Sequence, residues 1–175
     1  MRWVSVPVVL ALGLLGWGTW HLLAEPAVKQ PIEFPHKTHL EFLECTDCHE
    51  RATKGSAAGR PATENCLACH WGEKTESQEL KKLQAFGKKS QEVPWKRVWH
   101  LPSHVFFSHR THVVVAKVKC QTCHGPMETL ERPPARPLKT LSMGDCIACH
   151  ERWEKERAMP AAERRISTDC TTCHR

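Results

Sequence analysis

The chain has 175 residues, with 25 Lys and Arg against 19 Asp and Glu, which gives a formal net charge of +6 at pH 7. The basic residues form no patch interleaved with aromatic side chains, so we exclude nucleic acid as a partner. Ten cysteines and twelve histidines are the unusual part of the composition. These two residue types are therefore where the sequence carries information about function.

The first 24 residues are predicted to form a membrane anchor. Trp3 to Leu23 is a run of about 21 residues without an acidic or basic side chain other than one histidine, long enough for a membrane-spanning helix. Arg2 precedes the run, which favours an N-terminus in the cytoplasm and a chain that continues on the periplasmic side of a bacterial cytoplasmic membrane. A cleaved signal peptide is the alternative, but its apolar region is usually shorter, about 7 to 15 residues.

One pattern, Cys-x-x-Cys-His, occurs five times after the anchor, and we number these copies motif 1 to motif 5 in chain order. The pattern attaches c-type haem, because its two thiols bond to the porphyrin and the adjacent histidine is the proximal iron ligand. Zinc ribbons and disulfide frameworks also use paired cysteines, but neither explains a histidine after every second cysteine. The sequence therefore predicts five covalent haems c, on Cys45 and Cys48, Cys66 and Cys69, Cys120 and Cys123, Cys146 and Cys149, and Cys170 and Cys173. The predicted proximal ligands are His49, His70, His124, His150 and His174.

Five haems leave too little chain for an ordinary apolar core, since small domains bury a low fraction of their surface. We therefore expect the porphyrins to form the core, wrapped mainly by coil and short α-helices without a sheet. The predicted domains are the anchor (1–24), a first haem module with haems 1 and 2 (25–90) and a second with haems 3 to 5 (91–175).

One longer amphipathic helix is predicted from Thr75 to Gly87. Thr75 and Gln78 resemble a capping box at its start. Leu80, Leu83 and Phe86 form an apolar stripe along it, which we expect to pack on a haem or on the core.

The sixth position of each iron decides between electron transfer and catalysis. Two matching segments, Phe34-Pro-His36-Lys-Thr-His39 and Phe107-Ser-His109-Arg-Thr-His112, each precede a haem motif, and we call them the first and second leader. Histidines three residues apart on a helix point about 60° apart, so the two rings of one leader can reach two haems. The predicted distal ligands are His36, His39, His109, His112 and, for the fifth iron, His104. The alternatives for the fifth iron are His100, Met127 and Met143.

Five irons with six ligands each would have no position open to a substrate. The chain is then an electron relay and not an enzyme on its own. A small multihaem reductase would instead require one iron with a free position.

Both leaders, placed ahead of Cys-x-x-Cys-His, resemble those of the class III multihaem cytochromes c. In that class the first histidine of a leader usually binds the next haem and the second binds a more distant one. The stretch from Val98 to His150 is similar to the membrane-anchored pentahaem subunit of alternative complex III and of related menaquinone reductase complexes, although Asp145 stands where those subunits often carry Trp. The segments that carry this similarity are Leu101-Pro102, Val105 to His109, His112-Val113, Cys120 to Gly125 and Leu141 to Cys146.

The resemblance implies a respiratory-chain subunit that passes electrons beside iron-sulfur, molybdopterin-like and integral membrane subunits. We therefore expect a membrane-anchored periplasmic pentahaem cytochrome c that relays electrons within a quinol-linked oxidoreductase complex. The alternatives are a free-standing quinol dehydrogenase, a periplasmic shuttle that exchanges electrons with soluble cytochromes, and a small multihaem reductase.

Overall fold

The computed structural model describes residues 12, 27–72, 74–156 and 167–174, with the side chains of 154–156 left out. The predicted anchor lies outside these residues except for Leu12. Within the described ranges, no helix combines the length and the apolar character that a membrane span requires. The anchor therefore stays a prediction.

Short helices joined by irregular chain make up the described part of the molecule. They are α1 (His36–His39), α2 (Cys45–Cys48), α3 (Thr63–His70), α4 (Gln78–Lys88), α5 (Cys120–His124), α6 (Met143–Glu156) and α7 (Cys170–Cys173). Two 3₁₀ turns, Glu50–Thr53 and Met127–Thr129, and one π-helical turn, Thr111–Val115, complete the regular structure of these residues. Strand pairing in the described ranges is limited to one isolated bridge between Val105 and His174. The prediction of short helices and coil without a sheet is confirmed.

Every haem motif lies on or at the end of a helix. Motifs 1, 3 and 5 form the single-turn helices α2, α5 and α7, motif 2 ends α3, and motif 4 lies within α6. Residues three and four apart lie on the same helical face. A helical turn therefore brings the two cysteines and the histidine of one motif to a common side.

The start of α6 shows a role for Asp145. Its carboxylate accepts hydrogen bonds from the Ser142 backbone N–H at 2.8 Å and from the Ser142 hydroxyl at 2.7 Å, and its own N–H donates to Ser142 Oγ at 3.2 Å. The hydrogen bonds from Ser142 hold the pKa of Asp145 below its usual value. Asp145 therefore fixes the first turn of the helix that carries motif 4.

The start of α4 corrects one expectation. The helix begins at Gln78, and its cap is Ser77, whose hydroxyl accepts from the Leu80 N–H at 3.4 Å. Thr75 instead accepts from the Ser77 N–H at 3.1 Å, so the predicted capping box of Thr75 and Gln78 is wrong. The reason is that a cap must be the extended residue next to the first helical turn, and Ser77 has that conformation, with ψ of 123°.

The predicted apolar stripe of α4 meets the small core of the protein. Leu83 is buried together with Ile32 and Val93, and Leu80 and Phe86 pack against this cluster. Helix α3 lies close by: a Cβ added to Gly87 would overlap the side chain of Leu67. Helix α4 therefore packs against the helix that carries motif 2.

Burial elsewhere in the described residues is slight. Ala52 and Thr63 complete the set of buried residues there, and none of these side chains is fully buried. Large apolar side chains are exposed along the chain between 42 and 143, namely Phe42, Trp71, Leu101, Phe106, Val115, Leu138 and Met143. So small an interior agrees with a chain that needs other apolar groups to complete its core.

One buried polar contact joins the start of α3 to a distant segment. Glu92 Oε2 accepts from the N–H of Thr63 at 2.8 Å and from its hydroxyl at 3.0 Å. The same hydroxyl accepts from the buried Val93 N–H at 2.8 Å. The Glu92 carboxylate thus satisfies the first N–H of α3, while the Thr63 hydroxyl satisfies a backbone donor of the core.

We expect Thr63→Val to lower the free energy of unfolding by about 1–3 kcal/mol, because the Val93 N–H then stays buried without a partner. Urea unfolding followed by circular dichroism measures this loss. Thr129→Val is the matched control, since its hydroxyl donates to Pro126 O at an exposed position. An equal loss in both variants would contradict the role given to Thr63.

Candidate haem-binding sites

Facing imidazoles are the main feature of the five motifs. Metal–imidazole bonds of roughly 2.0 Å on opposite sides of one iron place the two ring centroids about 6.3 Å apart. Three pairs have nearly this spacing: His39 and His70 at 6.2 Å, His109 and His124 at 6.2 Å, and His112 and His150 at 6.1 Å. In each pair, a predicted distal ligand faces a predicted proximal one.

The other two motifs also have a histidine beside the proximal ligand. His104 stacks on His174 with ring centroids 5.3 Å apart. Burial, then the nearby His49 and His39, lowers the pKa of His36 to about 4. This ring therefore stays neutral near pH 7, which is the form that ligates iron.

The candidates for the fifth distal position lie in different surroundings. The segment with His104 is tied to motif 5, because the Phe106 N–H donates to Cys173 O at 2.8 Å. His100 is exposed, and its Nε2 lies 3.2 Å from Arg97 O, to which it donates. The structure thus places His104, not His100, against His174. The two methionine alternatives lie in a 3₁₀ turn (Met127) and, exposed, at the first residue of α6 (Met143).

The first leader holds its two histidines in different orientations. Phe34 lies 4.2 Å from the ring of His39 and 5.0 Å from that of His36, the latter at 90°. His39 Nδ1 donates to Pro35 O at 2.9 Å. The ring of His39 is thereby fixed toward motif 2, whereas His36 lies near motif 1.

The second leader repeats this geometry. Phe107 lies 4.4 Å from the ring of His112 and 4.9 Å from that of His109, the latter again at 90°. His112 Nδ1 donates to Ser108 O at 2.8 Å, which matches the bond in the first leader. The repeat in the sequence is therefore a repeat in structure.

Backbone carbonyls orient three further imidazoles. A Nδ1–H that donates to a carbonyl leaves Nε2 as the ligand nitrogen and sets the plane of the ring. The three bonds are His49 to Gly59 O at 2.9 Å, His109 to Ser56 O at 2.7 Å and His150 to Ser167 O at 3.3 Å. The sequence could not reveal these acceptors, because any residue can supply a carbonyl.

The imidazoles of His36 and His124 differ from the others in their surroundings. Nδ1 of His36 is buried and has no hydrogen-bond partner in the described part of the chain. The ring centroids of Trp99 and His124 lie 4.8 Å apart in an edge-to-face arrangement. The indole N–H of Trp99 donates to Lys139 O at 3.2 Å. Burial, followed by His109 and His49, lowers the pKa of His124.

The cysteines fit haem attachment better than a protein-only metal site. None of the ten forms a disulfide. Within the described ranges, no three His, Cys, Asp or Glu side chains converge as a metal-binding cluster. A porphyrin brings four nitrogen ligands of its own, so that two thiols and two axial histidines suffice for each group.

Contacts between thiols show which motifs are neighbours. Burial and the adjacent Cys120 raise the pKa of Cys45, so motif 1 lies beside motif 3. Burial and the nearby Cys48 raise the pKa of Cys66, so motif 2 is also a neighbour of motif 1.

The remaining motifs continue this series. Burial, then Cys149, raises the pKa of Cys123, which places motif 4 beside motif 3. Burial, then Cys173, raises the pKa of Cys146, which places motif 5 beside motif 4. The motifs are therefore neighbours in the order 2, 1, 3, 4, 5.

Comparisons with known proteins agree with this chemistry. The family described as "Class III cytochrome C family" matches residues 21–100, and the family described as "Cytochrome c7 and related cytochrome c" matches residues 105–175. A relative, the menaquinone reductase multihaem cytochrome c subunit of Nitratidesulfovibrio vulgaris, is 27% identical over 190 residues, which cover 97% of this chain and 88% of that subunit. These comparisons support a class III-type multihaem cytochrome, and cytochrome c families of this kind imply covalently bound haem c.

Proposed function

We propose that the chain is a membrane-anchored pentahaem cytochrome c that relays electrons as a subunit of a quinol-linked oxidoreductase complex. One observation supports this most directly: a predicted distal histidine lies next to the proximal ligand of motifs 2, 3, 4 and 5, and His36 is close enough to His49 of motif 1 to interact with it electrostatically. Haem c supplies a one-electron centre, and the two histidines occupy both axial positions. With no position open to a substrate, relay is favoured over catalysis.

The order of neighbouring motifs supports a relay. Five centres in the order 2, 1, 3, 4, 5 form one continuous row with motifs 2 and 5 at its ends. Exposed cysteines occur in motif 2 (Cys69), motif 4 (Cys146) and motif 5 (Cys170). Both ends of the row and motif 4 are therefore candidates for electron exchange with partners.

The proposed place of this relay is the periplasmic face of the cytoplasmic membrane, held by the anchor at 1–24. The relative's name as a menaquinone reductase subunit supports a quinone-linked complex. Iron-sulfur, molybdopterin-like and integral membrane subunits are the partners we propose.

Five haems per chain and five low-spin irons are expected. Mass spectrometry of the denatured full-length protein should show the mass of the chain plus five haems, because thioether bonds survive denaturation. The oxidised protein should give only low-spin ferric signals in electron paramagnetic resonance, since every iron has two strong axial ligands. Fewer haems, or a stoichiometric high-spin signal, would contradict the proposal and favour a small reductase.

His104→Ala is expected to convert one of the five irons to the high-spin state, because His174 then loses the ring stacked on it. His100→Ala, a change of the same kind at an exposed histidine four residues away, should leave all signals unchanged. Paramagnetic resonance with haem counting by mass distinguishes the two. A high-spin signal from His100→Ala alone would overturn the assignment of His104.

Membership of a complex is tested in native membranes. We expect gentle detergent extraction, native electrophoresis and haem staining to show this chain migrating with iron-sulfur and polytopic subunits. Replacing residues 1–24 by a cleavable export signal should release the haem protein into the soluble fraction. Migration alone from the membrane fraction would instead indicate a free-standing quinol dehydrogenase, and a soluble wild-type protein would indicate a shuttle.

A further inference from the structure

One segment, residues 55–60, contacts imidazoles that belong to two different motifs. Gly59 O accepts from Nδ1 of His49, the proximal ligand of motif 1, at 2.9 Å. Ser56 O accepts from Nδ1 of His109, which faces the proximal ligand of motif 3, at 2.7 Å. We call this segment the shared loop, because its two carbonyls orient ligands of two separate irons.

The shared loop is itself tied to both sides. It is linked to the second leader by the His109 N–H, which donates to Ser56 O at 3.1 Å, and by the Arg110 N–H, which donates to Gly55 O at 3.0 Å. On the side of motif 1, the Gly55 N–H donates to Arg51 O at 2.9 Å. A shift of the loop therefore moves both of its carbonyls.

Gly59 sets the conformation of the shared loop. Its φ of +77° is a left-handed value that residues with a side chain rarely adopt. A Cβ at this position would also lie 3.1 Å from Cδ and 3.3 Å from Cβ of Arg51. Both the backbone conformation and the close approach of Arg51 therefore disfavour a side chain at this position.

The two motifs that share the loop are also in direct contact. Cys45 of motif 1 lies beside Cys120 of motif 3. Their proximal ligands, His49 and His124, are close enough to interact electrostatically. Motifs 1 and 3 form the junction between the two halves of the row.

We propose that the shared loop is a positioning element that couples the haems of motifs 1 and 3, so that one change in the loop alters both irons together. A hydrogen bond from Nδ1–H to a carbonyl makes the imidazole a stronger donor to iron, and such partners tune the properties of a metal. The loop carries one such bond for each of the two haems. This inference rests on the proposed binding of haem at both motifs.

The test compares Gly59→Ala with Gly72→Ala in the full-length holoprotein. Gly72 lies outside the shared loop and has a similarly left-handed φ of +75°. A Cβ added at Gly72 would meet no atom within 4 Å. Spectroelectrochemical titration and paramagnetic resonance report each low-spin haem. The signals of haems 1 and 3 are assigned by their loss in His36→Ala and His109→Ala.

In Gly59→Ala we expect the signals of haems 1 and 3 to shift together and both midpoint potentials to rise, because both Nδ1–H bonds weaken. Haems 2, 4 and 5 should keep their wild-type values, and Gly72→Ala should leave haems 1 and 3 unchanged. The proposal would be overturned if Gly59→Ala shifted the signals and potential of haem 1 alone, or of neither haem. It would also be overturned if Gly72→Ala shifted those of haems 1 and 3. If Gly59→Ala yields no holoprotein, Arg51→Ala takes its place in the test. This change shortens the side chain that lies against Gly59, and the same criterion applies to its result.

Haem counting by mass keeps this result separate from the proposed function. A wild-type protein with fewer than five haems would contradict the pentahaem relay. Five haems combined with an effect confined to one of haems 1 and 3 would overturn only the role of the shared loop.

Discussion

The separation of facing imidazoles, 6.1 to 6.2 Å at three motifs, is the constraint on which the rest of the structure depends. The chain has little else to define its shape, since its core in the described residues centres on Ile32, Leu83 and Val93. Each pair joins a leader to a distant helix, as His39 of α1 joins His70 at the end of α3. In the proposed holoprotein, an iron bound by both rings would cross-link these segments, and the apolar porphyrin around it would complete the core.

Backbone and side-chain hydrogen bonds both join the segments on the two sides of the predicted module boundary. The Lys37 N–H donates to Leu130 O at 2.9 Å, and the Val28 N–H donates to Ala135 O at 2.7 Å, across the proposed boundary at residue 90. The ion pair of Lys37 with Glu131 is exposed, and such pairs contribute only about 0–1 kcal/mol. The two-module division stays a prediction. Hydrogen bonds join its two parts, and the pattern of charged residues in the sequence does not predict them.

The sequence predicts what local chemistry determines. The five motifs and the two leaders are short patterns whose residues act within one or two turns, so Phe34 and Phe107 take the same place beside their histidines. The start of α4 was placed wrongly because two hydroxyl residues compete for one cap, and backbone conformation selects Ser77. The acceptors of His49, His109 and His150 could not be predicted, because they are main-chain carbonyls brought near by tertiary structure.

Neighbouring motifs in the row are connected in different ways. For this reason the order of the motifs in space differs from their order in the chain. The first leader spans motifs 1 and 2, and the second spans motifs 3 and 4, because two histidines three residues apart diverge toward adjacent sites. Motif 5 joins the row through the segment just before the second leader, where Val105 bridges His174. The junction of motifs 1 and 3 has no leader in common, and there the shared loop provides the link between His49 of motif 1 and the second leader. The two leaders thus account for four of the motifs, the shared loop connects these two pairs, and the segment with His104 adds motif 5.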